Sequence, residues 1–187
     1  SWDSGRNRWN VSVSDNLLHG SVLQRWSGAT VDSATNNLDD GRVYVAVKVS
    51  GPVSGLYRYE YAVHNRDNSR GLSTFRLPLC PSARVLNAGF RDIDGVPQND
   101  WSFSRAGGTL AWTATANPLE WNTIYNFWFE SDAAPETATA SLDQYRAGAG
   151  MPFLSVGTTA PLGLYNVYLG AGCGSPAAPQ LIAAGLP

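Results

Sequence analysis

The run Arg42-Val43-Tyr44-Val45-Ala46-Val47-Lys48-Val49, the cluster Gly51-Pro52-Val53-Ser54-Gly55, and the run Tyr57-Arg58-Tyr59-Glu60-Tyr61-Ala62-Val63-His64 together decide the fold. In the first run a valine stands at every second position. Successive side chains of an extended chain point to opposite faces, so the four valines share one face. The second run repeats the pattern, with Tyr57, Tyr59, Tyr61 and Val63 on one face and Arg58 and Glu60 on the other. The Gly/Pro/Ser cluster between the runs predicts a turn, which makes them antiparallel neighbours. The polar stretch 65–71 ends the second strand.

The same period of two extends outward in both directions. Strands are expected at 10–14 and 22–26 before this pair. After it they are expected at 72–79, 83–90, 101–104, 109–115, 123–130, 137–142, 153–157 and 164–169. No window carries a sustained helical period, and a helical turn is expected only near 142–146. About ten to eleven short strands with turn signals between them predict an all-β protein, a two-layer antiparallel β-sandwich of Ig-like or jelly-roll-like kind. No internal repeat or linker divides the 187 residues, so a single domain over 1–187 is expected, with 170–187 as a Gly/Pro/Ala-rich tail.

Composition excludes several classes of protein. The chain is 43% hydrophobic and 15% charged, with a net charge of −2 and no block of like charge. A protein that neutralises phosphates needs a basic stripe, so no nucleic-acid partner is expected. No apolar run reaches the ~20 residues that span a bilayer, so no transmembrane segment is expected. Seven tryptophans, eight tyrosines and six phenylalanines are too many for a solvated, disordered chain.

Cys80 and Cys173 are the only cysteines, and each sits in a Pro- or Gly-rich stretch. Two cysteines without histidines at ligand spacing do not make a zinc site. In an oxidising compartment a Cys80–Cys173 disulfide would contribute roughly 4–5 kcal/mol on the chain-entropy model. Two free, buried thiols are the alternative.

Candidate chemistry is sparse. There is no Gly-x-Ser-x-Gly elbow, and neither His19 nor His64 lies in a nucleophile motif, so no catalytic residue is assigned. A glycoside hydrolase needs two carboxylates facing each other across a cleft. Glu60 and Glu130 share a strand face by alternation and are the pair to consider, against the plainer reading of solvent-facing residues paired with arginine. No cofactor is expected apart from calcium, for which Asp92, Asp94 and Asp100 offer the best oxygen cluster. Its spacing is not that of an EF-hand, and Asp is also an ordinary turn residue. Tryptophans near strand ends invite a sugar-stacking reading, with Trp101, Trp121 and Trp128 as candidates and polysaccharide as the ligand.

Two further groups of segments carry a resemblance. The first is Tyr59-Glu60-Tyr61-Ala62-Val63-His64-Asn65 with Ser73-Thr74-Phe75-Arg76-Leu77-Pro78. The second is Asn87-Ala88-Gly89-Phe90-Arg91-Asp92-Ile93-Asp94 with Trp121-Asn122-Thr123-Ile124-Tyr125-Asn126-Phe127-Trp128-Phe129. Over roughly residues 40–145 the chain resembles the C-terminal β-domain of large secreted proteins of unknown function from planctomycete-type bacteria. The resemblance implies a secreted or cell-surface β-rich protein with more chain before Ser1. It transfers no catalytic residue. Gly170-Ala171-Gly172-Cys173-Gly174-Ser175 is similar to the Gly-Cys tails near the ends of such proteins.

These readings converge on a non-catalytic extracellular structural or adhesive module. Many strands create edges, and an exposed edge is a template for another chain. Self-association into a surface layer or filament is expected through strand-edge or tail exchange. Trp9, Val11 and Val13 at one end, and Leu181 and Ile182 at the other, would supply the donated segments. A carbohydrate-binding module and a secreted hydrolase are the alternatives.

Overall fold

The computed structural model of the protein describes residues 2–6, 8–9, 19–36, 41–163, 165–169 and 180–186. The strands in chain order are β1 (Trp2–Asp3), β2 (Arg8–Trp9), β3 (Thr30–Thr35), β4 (Arg42–Val53) and β5 (Leu56–Asn65). There follow β6 (Leu72–Pro78), β7 (Val85–Arg91), β8 (Ser102–Ala106), β9 (Thr109–Thr113) and β10 (Thr123–Ser131). The last are β11 (Ala134–Gln144), β12 (Phe153–Gly163), β13 (Tyr165–Leu169) and β14 (Gln180–Leu186). Ten of them form two five-stranded antiparallel sheets, in the orders β3-β4-β5-β10-β7 and β12-β11-β6-β9-β8. The all-β sandwich expected from the alternation is the observed fold. β1 pairs with β2, and β13 with β14, as separate two-stranded ladders.

The inner faces are those the period of two selects. Val43, Val45 and Val47 of β4 lie beside Tyr59, Tyr61 and Val63 of β5, and Tyr125, Phe127 and Phe129 of β10 extend the row; all are buried. Phe75, Leu77, Leu110, Trp112, Leu142 and Leu154 face them from the second sheet. The layers interlock through rings. Phe75 lies 4.8 Å from Phe127 and 5.5 Å from Tyr61, and Trp112 lies 5.5 Å from Phe127, centroid to centroid. A buried phenol needs a partner for its hydroxyl. Tyr61 reaches across the layers to donate to the carbonyl of Thr159 (2.7 Å), and Tyr59 donates to that of Ala133 (2.8 Å).

Two local expectations change, one strand is added, and the expected hairpin turn is narrowed to two residues. Residues Val22–Arg25 form a 3-10 helix rather than a strand. Ser21 and Gln24 make a capping box there: Ser21 Oγ accepts from Leu23 N, and Gln24 Oε1 accepts from Ser21 N, which satisfies amides that a strand would have to pair elsewhere. β3 was not anticipated, because Thr-Val-Asp-Ser-Ala-Thr has no strong apolar period. The expected helical turn near 142–146 is absent, since β11 runs to Gln144 and Tyr145 N donates to the carbonyl of Gly71. The hairpin turn of β4 and β5 falls at Ser54-Gly55, whose φ angles of 51° and 78° suit a two-residue primed turn. The strand expected at 10–14 lies outside the described residues.

The 3-10 segment covers part of the outer face of the first sheet, packing Leu23 and Trp26 against Tyr44, Ala46 and Ala62. Ser21 Oγ lies 2.7 Å from His64 Nδ1 and pins this segment to β5. Both residues are buried, and the serine hydroxyl is also the helix cap. No helix among the described residues is long and apolar enough to cross a membrane.

Candidate functional site

The region that gathers most of the candidate residues is the side of the sandwich where β7 and β8 end their sheets. The segment 92–100 between these strands is built from successive side-chain turns, as expected where Asp recurs beside Gly. Asp92 Oδ1 accepts from Asp94 N (3.0 Å), and Asp94 Oδ1 accepts from Val96 N (2.7 Å). The remaining carboxylate oxygens are taken by side chains: Asn117 Nδ2 donates to Asp92 Oδ2, and Asn99 Nδ2 donates to Asp94 Oδ2. Beneath the segment Trp101 is buried, stacked on Phe90 at 5.7 Å and donating its indole N–H to the carbonyl of Asn117.

A shallow cleft of about 390 Å³ opens between this segment and the outer face of the first sheet, lined by Arg91, Asp92, Asp94, Gly95, Asp100 and Trp128 among others. Trp128 stands on β10, opposite Glu60 of β5 and Gly89 of β7. Its indole lies over Gly89, where a Cβ would stand 2.3 Å from the ring carbons. The Arg58 guanidinium is 5.8 Å from the ring centroid. The surroundings are electronegative. Tyr125, whose hydroxyl donates to Asn117 Oδ1, has its pKa pushed up to about 12, first by burial and then by the charges of Asp92, Asp94 and Glu120.

The calcium candidates Asp92, Asp94 and Asp100 do meet in this cleft. Even so, among the described residues no three His, Cys, Asp or Glu side chains converge in a way that could hold a metal ion. The reason is local: the oxygens of Asp92 and Asp94 are spent on the turn itself. The three tryptophans named for sugar stacking separate. Trp101 is core, Trp121 is 66% exposed in the turn before β10, and only Trp128 lines the cleft. Glu60 and Glu130 share the outer face as alternation predicts, but they do not oppose each other across a cavity. Arg58 lies 3.8 Å from each carboxylate, and Asn87 donates to Glu130.

Cys80 is a buried free thiol among the described residues, with its Sγ 3.1 Å from Ser82 Oγ; Cys173, its expected disulfide partner, lies outside the described residues. Of the residues named for donation, Trp9, Leu181 and Ile182 lie in described strands. Trp9 is paired opposite Trp2, and β14, which holds Leu181 and Ile182, is paired with β13, so their backbones already have partners within the chain. Val11 and Val13 lie outside the described residues. Sequence reasoning missed Arg91 and Gly95 as cleft residues, and Gly89 as the position beneath the Trp128 ring. The signal for Gly89 was its place across from Trp128, and that depends on the β7–β10 register.

The fold and cleft define an all-β sandwich with an aromatic-floored, acidic surface cleft. No family model matches the chain, and no curated protein matches it. Among solved structures, two crystal structures of a GH20 exo-β-N-acetylglucosaminidase from Vibrio harveyi are similar at 13% identity and a TM-score of 0.37. One is in complex with N-acetylglucosamine and the other is a D437A inactive mutant. The match covers 78% of this chain and 20% of the Vibrio enzyme, so the chain spans about a fifth of that protein's length. A likeness this distant carries no function across.

Proposed function

We propose that the protein is a non-catalytic structural or adhesive module, working outside the cell or at its surface and joined to further copies of itself by strand addition at β8. The observation that carries this reading is the state of that edge. All five residues of β8 are exposed, and its pairing with β9 runs without a bulge from Ser102 to Ala106. Natural sheets usually blunt such an edge with a bulge, a proline or inward-pointing charge; β8 has neither bulge nor proline, and its one charge, Arg105, lies on the core-side face opposite Leu110 and donates to the carbonyl of Pro81. A second chain adding there would gain main-chain hydrogen bonds along the strand. The extracellular placement is supported by the resemblance over residues 40–145.

Size-exclusion chromatography with negative-stain imaging tests the reading. Growth of the particle with concentration is expected, and its loss in Ser102→Lys/Ser104→Lys, which charges the edge without touching the core. A particle that stays monomeric at the highest attainable concentration would overturn it. A second reading, recognition of carbohydrate, is favoured by the position of Trp128 in the cleft and is developed next.

A further inference from the structure

We infer that the cleft between Trp128 and the 92–100 segment binds a pyranose ring of a neutral glycan. This site is separate from the β8 edge and does not depend on self-association. A tryptophan on the outer face of a sheet, in a position where alternation otherwise places Lys48, Glu60, Arg58 and Glu130, exposes apolar surface with no core to fill. Here the ring is held in place. Gly89 leaves room for it beneath, and any larger residue at that position would push it off the strand. The platform thus sits on regular sheet rather than on a loop, the arrangement that fixes a contact surface at least entropic cost.

The polar groups around the platform divide in two. Asp92 and Asp94 are committed to the turn and shape the wall. The side chains of Arg91 and Asp100, which line the same cleft, have no hydrogen bond or ion pair among the described residues and present a donor and an acceptor to it. A pyranose supplies what this set asks for: a face of C–H groups for the indole and a rim of hydroxyls that both donate and accept. Three carboxylates against one guanidinium in the lining, with Arg58 beside Trp128 offset by Glu60 and Glu130, make the cleft unfavourable for uronic or sulfated sugars. A volume of about 390 Å³ falls within the ~300–1,000 Å³ of small-molecule sites.

The test is isothermal titration calorimetry, together with tryptophan fluorescence, using cellohexaose, xylohexaose, mannohexaose, laminarihexaose and chitohexaose, with polygalacturonate as the anionic probe. Saturable binding of at least one neutral oligosaccharide is expected. Trp128→Ala should abolish it, and Asp100→Ala should weaken it by roughly tenfold, the equivalent of ~1.4 kcal/mol. Gly95→Leu provides a variant independent of the platform's own folding. Gly95 lines the cleft and a Cβ there meets nothing within 4 Å, so a leucine is accommodated without a clash and, by narrowing the cleft, should block binding with an unchanged melting curve. Trp121→Ala should leave affinity intact. The inference is overturned if none of the neutral probes binds, if binding survives both Gly95→Leu and Trp128→Ala, or if polygalacturonate binds more tightly than every neutral probe.

Discussion

The two long sides of the sandwich treat the same problem differently. On one side the edge strands β3 and β12 come together, and hydrogen bonds cross between layers: Gly157 N donates to Asp32 Oδ2 (3.1 Å), and Met151 N donates to the carbonyl of Asn36 (3.4 Å). The buried Arg70 reinforces that side, its guanidinium donating to the carbonyls of Arg146, Ala149 and Met151. On the other side β7 and β8 leave their edges unpaired. The gap between the layers is filled by the rings of Phe90, Trp101 and Tyr125 instead. β7 is further blunted by an irregularity opposite Trp128 and Glu130, where Asn87 takes a φ of 51°. One side is closed by polar bonds and the other is propped open by aromatic packing. The cleft and the β8 edge both lie on the propped side.

That contrast can be broken most severely at Trp101. Trp101→Ala removes the ring that fills the open side and leaves a cavity under β7 and the 92–100 segment. A loss of about 3–5 kcal/mol in chemical denaturation is expected, and a loss below ~1 kcal/mol would show that the rings do not hold this side together. The closed side gives the next largest effect. Arg70→Ala deletes three charge-assisted bonds to carbonyls and should cost about 2–3 kcal/mol, with faster amide exchange concentrated between β11 and β12.

How far the sequence alone reaches differs along the same line. The inner faces were legible because Val43 to Val49 and Tyr57 to Val63 must bury one face, and a period of two states which one. β3 was not legible: the closed side uses Asp32 and Asn36 as cross-layer hydrogen-bond partners, and polar closure leaves no hydrophobic period to read. Residues 22–26, Val-Leu-Gln-Arg-Trp, carry no period of two, and the Ser21…Gln24 spacing is the stronger signal, since it satisfies local amides outright. In the cleft, Asp92, Asp94, Asp100 and Trp128 were all named in advance, though for different chemistries. Their meeting depends on β7 lying beside β10, and no local pattern encodes that register. Trp101 and Trp121 show the limit of aromatic counting: both adjoin strand ends, and burial separates them completely.

A smaller effect is expected on the face between the two sides, where His64 anchors the 3-10 segment. Burial holds the imidazole below its usual value, opposed by the hydrogen bond with Asn122; Arg66 adds to the lowering and Asp67 to the raising. The fold therefore favours the neutral ring, and the unfolded chain takes up the proton first. Stability should be fully present above pH ~6.5 and decline as pH falls through that value toward the lower folded one. His64→Gln should flatten this decline in thermal melts recorded between pH 7.5 and 5. An undiminished decline would place the titration elsewhere.

The smallest expected effect sharpens the comparison most. Asp32 is exposed, and its hydrogen bond to Gly157 N is one of the bonds joining the layers, so Asp32→Ala should cost only about 0.5–1 kcal/mol. Asn36, Met151 and the Arg70 clamp would still cover that side, and the oligomeric state should not change. If the variant instead formed larger particles than the parent, this single bond would be what keeps β3 and β12 from accepting a further strand. The two sides would then differ by one carboxylate rather than by architecture, and β8 would lose its standing as the edge chosen for contact.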